Sequence, residues 1–345
     1  MSDLGVIARR MAREHPTPFY VIDVKQIRSN ANALRSAWAE VFPGARCMYS
    51  YKTNPLSAIC RQLRALGYGA EVVSDMELRW AISDGFVGAD IALNGPAKTR
   101  AEIALAAGVG ATIQVDGCRD VRLVRDAALS APSEIRLVAR IATDVRGEYS
   151  RFGMTPAELD EATSMIRGIG LTWHGVHVHL GGIVRDAGRH ISAICDSARL
   201  LRDIIMERGS VVLNLGGGFG PASAAELQRS TRPIAQAIHQ ALFALEVDSK
   251  CVVVTLEPGR SIVEKAAALV ANVLSVKERT DCRIATLNVA SNLLPTRCYR
   301  THPIDFGRGP LEASYLLAGP QCFEDDIIVR DALGLPIWAT ATFCR

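Results

Sequence analysis

From about residue 44 the chain alternates short, apolar, β-prone runs with longer stretches whose apolar residues recur every three or four positions. The strand-like runs are RCMYSYK (46–52), AEVVS (70–74), DIALNG (90–95), ATIQVDG (111–117), IRLVARIA (135–142), GVHVHLG (175–181), VVLNLGG (211–217) and CVVVTLEPG (251–259). The clearest helical pattern between them is SAICDSARLLRDIIMERG (192–209), with Gly209 placed to cap its C-terminus. Eight such units predict an α/β fold, a (β/α)8 TIM barrel over residues 31–265. A doubly wound open sheet is the alternative, disfavoured because no GxGxxG follows the first strand. Beyond about residue 270, AALVANVLSVKE (267–278), CRIATLNVAS (282–291) and ASYLLAGP (313–320) read as strands without intervening helices, which predicts a second, smaller C-terminal β domain over 266–345. TPFYVID (17–23) is also strand-like, so the N-terminal segment 1–30 is expected to join that domain.

Composition narrows the partners. The chain is 49% hydrophobic and 22% charged, enough apolar material for a large core plus a smaller one. Its 39 basic and 36 acidic side chains leave a formal charge of +3 without long single-sign runs, so neither a nucleic acid nor a membrane surface is expected as a partner. Nine cysteines, an odd number, show no CxxC or Cys/His ligand spacing; they read as reduced thiols in the cytoplasm. The start, MSDLGVIARRMAREHP, has no apolar signal core.

In a barrel the reactive face lies at the C-terminal strand ends. There the chain carries Lys52, Ser74, Asp116, His179, glycines 216 to 218, and Glu257 with Arg260. NLGGGFG (214–220) follows the seventh strand, and its residues Gly217 and Gly218 let backbone N–H groups converge on an anion without Cβ obstruction. In EPGRSIV (257–263) the carboxylate of Glu257 ends the eighth strand, Pro258 and Gly259 make a tight turn, and Arg260 stands beside the glycine loop. In HGVHVHLGG (174–182), His177 and His179 share one face of the strand. No carboxylate or third histidine is placed to complete a ligand set with them, so no metal is expected; a histidine packed flat on a cofactor ring suits the position better. A lysine, a phosphate cradle, a carboxylate and a stacking histidine at one barrel mouth meet the requirements of pyridoxal 5′-phosphate (PLP), with Lys52 forming a Schiff base with its aldehyde and a carboxylate keeping the pyridine nitrogen protonated.

With these motifs the sequence resembles the fold-type III PLP decarboxylases, the group of diaminopimelate, ornithine and arginine decarboxylases, from about residue 17 to 330. YSYKTN resembles the family's lysine motif, and GAEVVSDMEL (69–78) its second-strand motif, although Glu71 stands where an aspartate is usual. Arg140 and SRFGM (150–154) resemble the segment around the fifth strand, HVHLGG the histidine motif, and NLGGGFG with EPGR the phosphate loop and the pyridine-nitrogen glutamate. GPQCFEDD (319–326) is similar to a segment whose cysteine enters the neighbouring subunit's active site, which implies a homodimer with Cys322 donated across the interface as proton donor. Four departures bear on cofactor, substrate and completeness. Gly182 replaces a phosphate-binding serine. Phe323 and Pro295 replace the residues that grip the distal ends of basic amino acids and diaminopimelate. The ending RDALGLPIWATATFCR is shorter than the family's β domain, which is therefore expected to be incomplete.

The resemblance implies PLP-dependent decarboxylation of an amino acid or amino-acid-derived intermediate through Lys52. Two other readings are weighed beside it. A racemase on the same barrel would pair the pyridine nitrogen with an arginine, which Glu257 opposes. A catalytically impaired homologue that binds and regulates a related decarboxylase is supported by the missing serine at Gly182 and opposed by Lys52, Glu257 and Cys322.

Overall fold

Eight short parallel strands close on themselves in a computed structural model that describes residues 3–128, 134–145, 148–220, 222–280, 282–294, 302, 304–305, 313–334 and 342–344. They are β1 (Arg46–Ser50), β2 (Gly69–Val72), β3 (Ile91–Leu93), β4 (Thr112–Val115), β5 (Arg136–Arg140), β6 (Gly175–His177), β7 (Val211–Asn214) and β8 (Val252–Leu256). Each pairs with its neighbours in sequence, and β8 closes the ring on β1 through Thr255 against Arg46 and Leu256 against Cys47. All eight coincide with runs expected from sequence, seven trimmed at their ends and β2 beginning one residue earlier, at Gly69. Those runs are almost unbroken in hydrophobicity because both faces are covered, one by the barrel interior and one by helices; every residue of β2 and of β3 is buried.

The helices between them start at strong caps. Thr99 with Glu102, Thr155 with Glu158 and Ser223 with Glu226 form reciprocal capping boxes, each satisfying two otherwise orphaned N–H groups. The helix Gly188–Arg208 ends as expected at Gly209, whose φ of 75° suits the left-handed cap and whose N–H donates to the Ile205 carbonyl at 2.7 Å.

The chain divides into two compact units, Val24–Lys265, which holds the barrel, and Met1–Asp23 with Ala266–Arg345. The N-terminal segment therefore leaves the β unit at Asp23 and not at residue 30. Val24–Ala39 is a helix whose Ile27, Ala31, Leu34, Ala37 and Trp38 are buried at helical period, and Trp38 stacks with Phe42 and meets Phe219 edge-on.

In the β unit a sheet runs in the order Phe19–Ile22, Ala267–Glu278, Arg283–Leu287, Ala313–Ala318 and Ile327–Gly334, with Thr342–Cys344 also pairing Ala267–Glu278. Its pairs are antiparallel except Arg283–Leu287 with Ala313–Ala318. Leu269, Val273, Leu287, Tyr315 and Leu317 form one core cluster, and Leu4 and Ala8 of the helix Asp3–Glu14 pack with Val21 and Val270 in another. The turn at 319–326 is built around Asp326, which is 2% exposed and accepts the N–H groups of Ser291 at 2.7 Å and Gln321 at 2.9 Å. It presents Cys322 and Phe323 to solvent, the latter 62% exposed. Pro295 lies outside the described residues.

Candidate active site

β1 stops two residues short of the lysine. The Ser50 N–H donates across the closure to the Pro258 carbonyl at 3.1 Å, and Tyr51–Thr53 then form a 3-10 turn as the buried Tyr51 hydroxyl reaches Asp84 at 2.9 Å. Lys52 is thereby lifted past the strand end, where the sequence pattern had placed it as the last strand residue. Its side chain is 48% exposed, which leaves one side of the ammonium open to a ligand. The other side is taken: Nζ lies 2.9 and 2.7 Å from the two carboxylate oxygens of Glu71, at the end of β2. Burial pulls the Lys52 pKa down, but Glu71 and Glu257 more than reverse it and hold the ammonium above the usual lysine value.

Glu257, just beyond β8, is 3% exposed. Its Oε1 accepts from Gln114 Nε2 at 2.6 Å and Asn214 Nδ2 at 2.7 Å, and its Oε2 faces His177 Nε2 at 3.4 Å. Burial works to raise this carboxyl, yet the imidazole of His177 and the Lys52 ammonium outweigh it, and Glu257 stays well below the usual carboxylate range. His179 sits beside it, its ring centroid 6.2 Å from that of His177. Burial, reinforced by His177, lowers the His179 pKa to about 3, so the ring is neutral at ordinary pH. The Gly217 N–H donates to its Nδ1 at 3.1 Å, which leaves the ring proton on Nε2.

The absence of a carboxylate near the histidines is corrected by the fold. Barrel closure brings Glu257 to His177 and His179, with ligand atoms within 4.8 Å of one another. Glu257 Oε1 and His179 Nδ1 in that group already accept hydrogen bonds from Gln114, Asn214 and Gly217.

The glycine loop after β7 can be made only by glycine. Gly216 and Gly218 have φ of 64° and 93°, and a Cβ on Gly216 would stand 2.4 Å from His179 Nδ1. The amides of Gly218, Phe219 and Gly220 have no hydrogen-bond partner among the described residues. Beside the loop, Pro258 receives the Ser50 N–H, Gly259 approaches Thr53 so closely that a Cβ would overlap its hydroxyl, and Arg260 opens the short helix Arg260–Val263. Lys52, His179, Gly217, Gly218, Glu257, Pro258, Gly259 and Arg260 thus gather at one barrel mouth. Cys322 belongs to the β unit.

Two strand-end residues have structural roles instead. Ser74 caps the helix Asp75–Ser83, and Asp116 accepts from Arg140 Nη1 at 3.2 Å and the Gly153 N–H at 3.1 Å. Three residues that sequence did not single out complete the site: Gln114, Asn214 and Asn94, whose Nδ2 donates to Glu71 Oε1 at 3.2 Å. The one available signal was a buried amide inside an otherwise apolar strand, as in the TIQV of β4.

These residues fit PLP. The glycine loop leaves the amides of Gly218, Phe219 and Gly220 without partners among the described residues, as a bound phosphate would need, an ammonium has one open side for an aldehyde, and a buried ionised carboxylate stands beside a neutral imidazole. Known proteins agree. Residues 28–264 match the family described as pyridoxal-dependent decarboxylase, pyridoxal binding domain. The diaminopimelate decarboxylase of Deinococcus radiodurans is 30% identical over 94% of this chain and 82% of its own length, and that of Archaeoglobus fulgidus 27% over 95% and 81%. Among solved structures, lysine decarboxylase from Selenomonas ruminantium superposes with a TM-score of 0.83 at 22% identity, covering all of this chain and 89% of that one. A barrel mouth built for PLP and a family match that spans most of the barrel lead to one assignment: the chain belongs to the pyridoxal-dependent decarboxylases.

Proposed function

We propose that this PLP-dependent amino-acid decarboxylase works through Lys52, with the residues gathered at the barrel mouth in distinct roles. The observation that carries the assignment is the meeting of Lys52, the glycine cradle and the ionised Glu257 at one site. Lys52 is the amine that takes the cofactor aldehyde. Gly217, Gly218 and the turn Pro258–Arg260 hold its phosphate, and Arg260 adds positive charge there. His179, neutral and fixed by Gly217, packs on the ring face. Glu257, held by Gln114 and Asn214, keeps a proton on the ring nitrogen. When bound, PLP supplies the sink for the electron pair released as CO2 leaves. The retained lysine, cradle and carboxylate support an enzyme over a cofactor-free regulator, and a ring-nitrogen carboxylate supports decarboxylation over racemisation.

The finer reading is a homodimer in which Cys322 of one copy serves as proton donor in the other's site. Its support is the exposed thiol on a turn that Asp326 holds in place. Phe323 beside it offers no charge for a distal ammonium, which supports a substrate without one. Among the described residues no helix is long and apolar enough to cross a membrane, and seven cysteines are free thiols, which supports a cytoplasmic location.

The test is the visible absorption of the purified protein with PLP, before and after borohydride. A band that borohydride fixes in the wild type and not in Lys52→Ala, with CO2 released from an amino acid, is expected. A band fixed equally in Lys52→Ala would sink the assignment.

A further inference from the structure

The Lys52–Glu71 pair has unlike halves. The lysine side chain is 48% exposed and the glutamate side chain 0%. Besides Lys52, Glu71 accepts from the Ser50 hydroxyl on Oε2 and from Asn94 Nδ2 on Oε1, both neutral donors. Among the described residues Lys52 is thus the one cation touching this buried carboxylate. The carboxylate is held from behind: Asn94 Oδ1 accepts from the Gly95 N–H at 2.9 Å and from Arg140 Nη1 at 3.4 Å, and Arg140 is tied to Asp116.

An aldehyde condenses only with a free amine, so Lys52 must shed a proton before it can react. A carboxylate left buried without a counter-charge is strongly disfavoured, so the shed proton has a destination 2.7 Å away. We propose that Glu71 is the positioning residue that stores the proton Lys52 gives up. One N–H bond of the ammonium breaks and one O–H bond forms on Oε2; ammonium and carboxylate become amine and carboxylic acid, and the net charge of the pair is unchanged. Both forms are hydrogen-bonded. The Ser50 hydroxyl rotates from donating to Oε2 to accepting from it, while Asn94 keeps donating to Oε1. Lys52 is also in the field of Glu257, Glu77 and the neutral His179, but only Glu71 touches it.

The inference rests on Lys52 being the aldehyde-accepting amine, and its test reads the lysine and the carboxyl directly. In the full-length chain freed of cofactor, acetic anhydride labelling across pH is followed by mass spectrometry at Lys52, with exposed Lys25 and Lys277 as references. In Glu71→Gln the labelling midpoint of Lys52 is expected to fall by about one pH unit or more, or about tenfold greater labelling at pH 8. That is what a unit charge at this distance exerts even at the dielectric constant of water. Glu71→Asp, which keeps the charge but withdraws it, falls between, and serves alone if the glutamine variant does not fold. Infrared difference spectra on PLP loading should gain a protonated-carboxyl band that Glu71→Gln lacks. An unchanged Lys52 midpoint, or no such band in the wild type, overturns the proposal. A failure of the cofactor assignment would appear separately, as a PLP band that borohydride fixes equally in Lys52→Ala.

Discussion

Glu257 has two separable duties, charge and packing, and two substitutions pull them apart. Alanine removes the acceptor of Gln114 Nε2 and Asn214 Nδ2, both buried and bonded to Oε1 at 2.6 and 2.7 Å. Each stranded donor costs about 1–3 kcal/mol, so Glu257→Ala should lose about 2–6 kcal/mol of stability. For a unit of this size that lowers the melting temperature by roughly 4–24 °C. Glutamine keeps an oxygen for both amides and can turn its own NH2 toward His177 Nε2, so Glu257→Gln should melt within about 1 kcal/mol of the wild type. It loses the charge, however, and CO2 release should drop by about 10²–10³-fold, the usual size of a preorganised electrostatic contribution. Thermal melts by circular dichroism on the cofactor-free proteins give the first quantity, and CO2 release from the best amino-acid substrate the second. If the glutamine variant melted as low as the alanine one, or turned over at the wild-type rate, the division of duties would be wrong.

The buried histidines make the fold acid-sensitive. Burial lowers His179 to about 3 and His190 to about 4, against about 6.5 in an unfolded chain. Between these values the unfolded state binds the extra proton, so stability is complete above about pH 6.5 and declines on acidification by about 1.4 kcal/mol per pH unit for each histidine. Urea midpoints at several pH values between 6.5 and 4.5 measure that slope; His190→Gln should reduce it by one proton's worth, and a flat profile would contradict it. At the cradle, a Cβ on Gly216 would strike His179 in a backbone conformation that side chains rarely adopt, so Gly216→Ala should weaken PLP retention by about tenfold or more by equilibrium dialysis; wild-type affinity would show that the loop does not hold the phosphate.

Lys52, the glycine loop and Glu257 could be recognised in sequence because each sits in a short local motif whose geometry depends on its neighbours. Gln114 and Asn94 could not: their partners are Glu257 and Glu71 on other strands, Asn94 reaching across the β2–β3 pair and Gln114 across the closed barrel to Glu257, 143 positions away. Separation along the chain likewise hid the approach of Glu257 to the histidine pair. In the β unit, Ala267–Glu278 announced itself by a long apolar run. Ile327–Gly334 did not, because Arg330 and Asp331 interrupt the run and Asp331 takes a φ of 56°. The helix Val24–Ala39 lay across the sequence-based boundary because its amphipathic face belongs to the barrel unit.

The ring closes where β8 meets β1, and Lys52 and the buried carboxylate of Glu257 stand on opposite sides of that seam. The seam is short, two residue pairs and the Ser50–Pro258 bond, and it joins the first strand of the barrel to the last, the contact with the greatest loop to close. A ligand held by both sides stabilises the closed ring over every open form by mass action. A cofactor held by Lys52 and Glu257 would therefore act on the protein as a clasp as well as a reagent: the site cannot exist before the barrel is whole, and loading it would make the barrel harder to open.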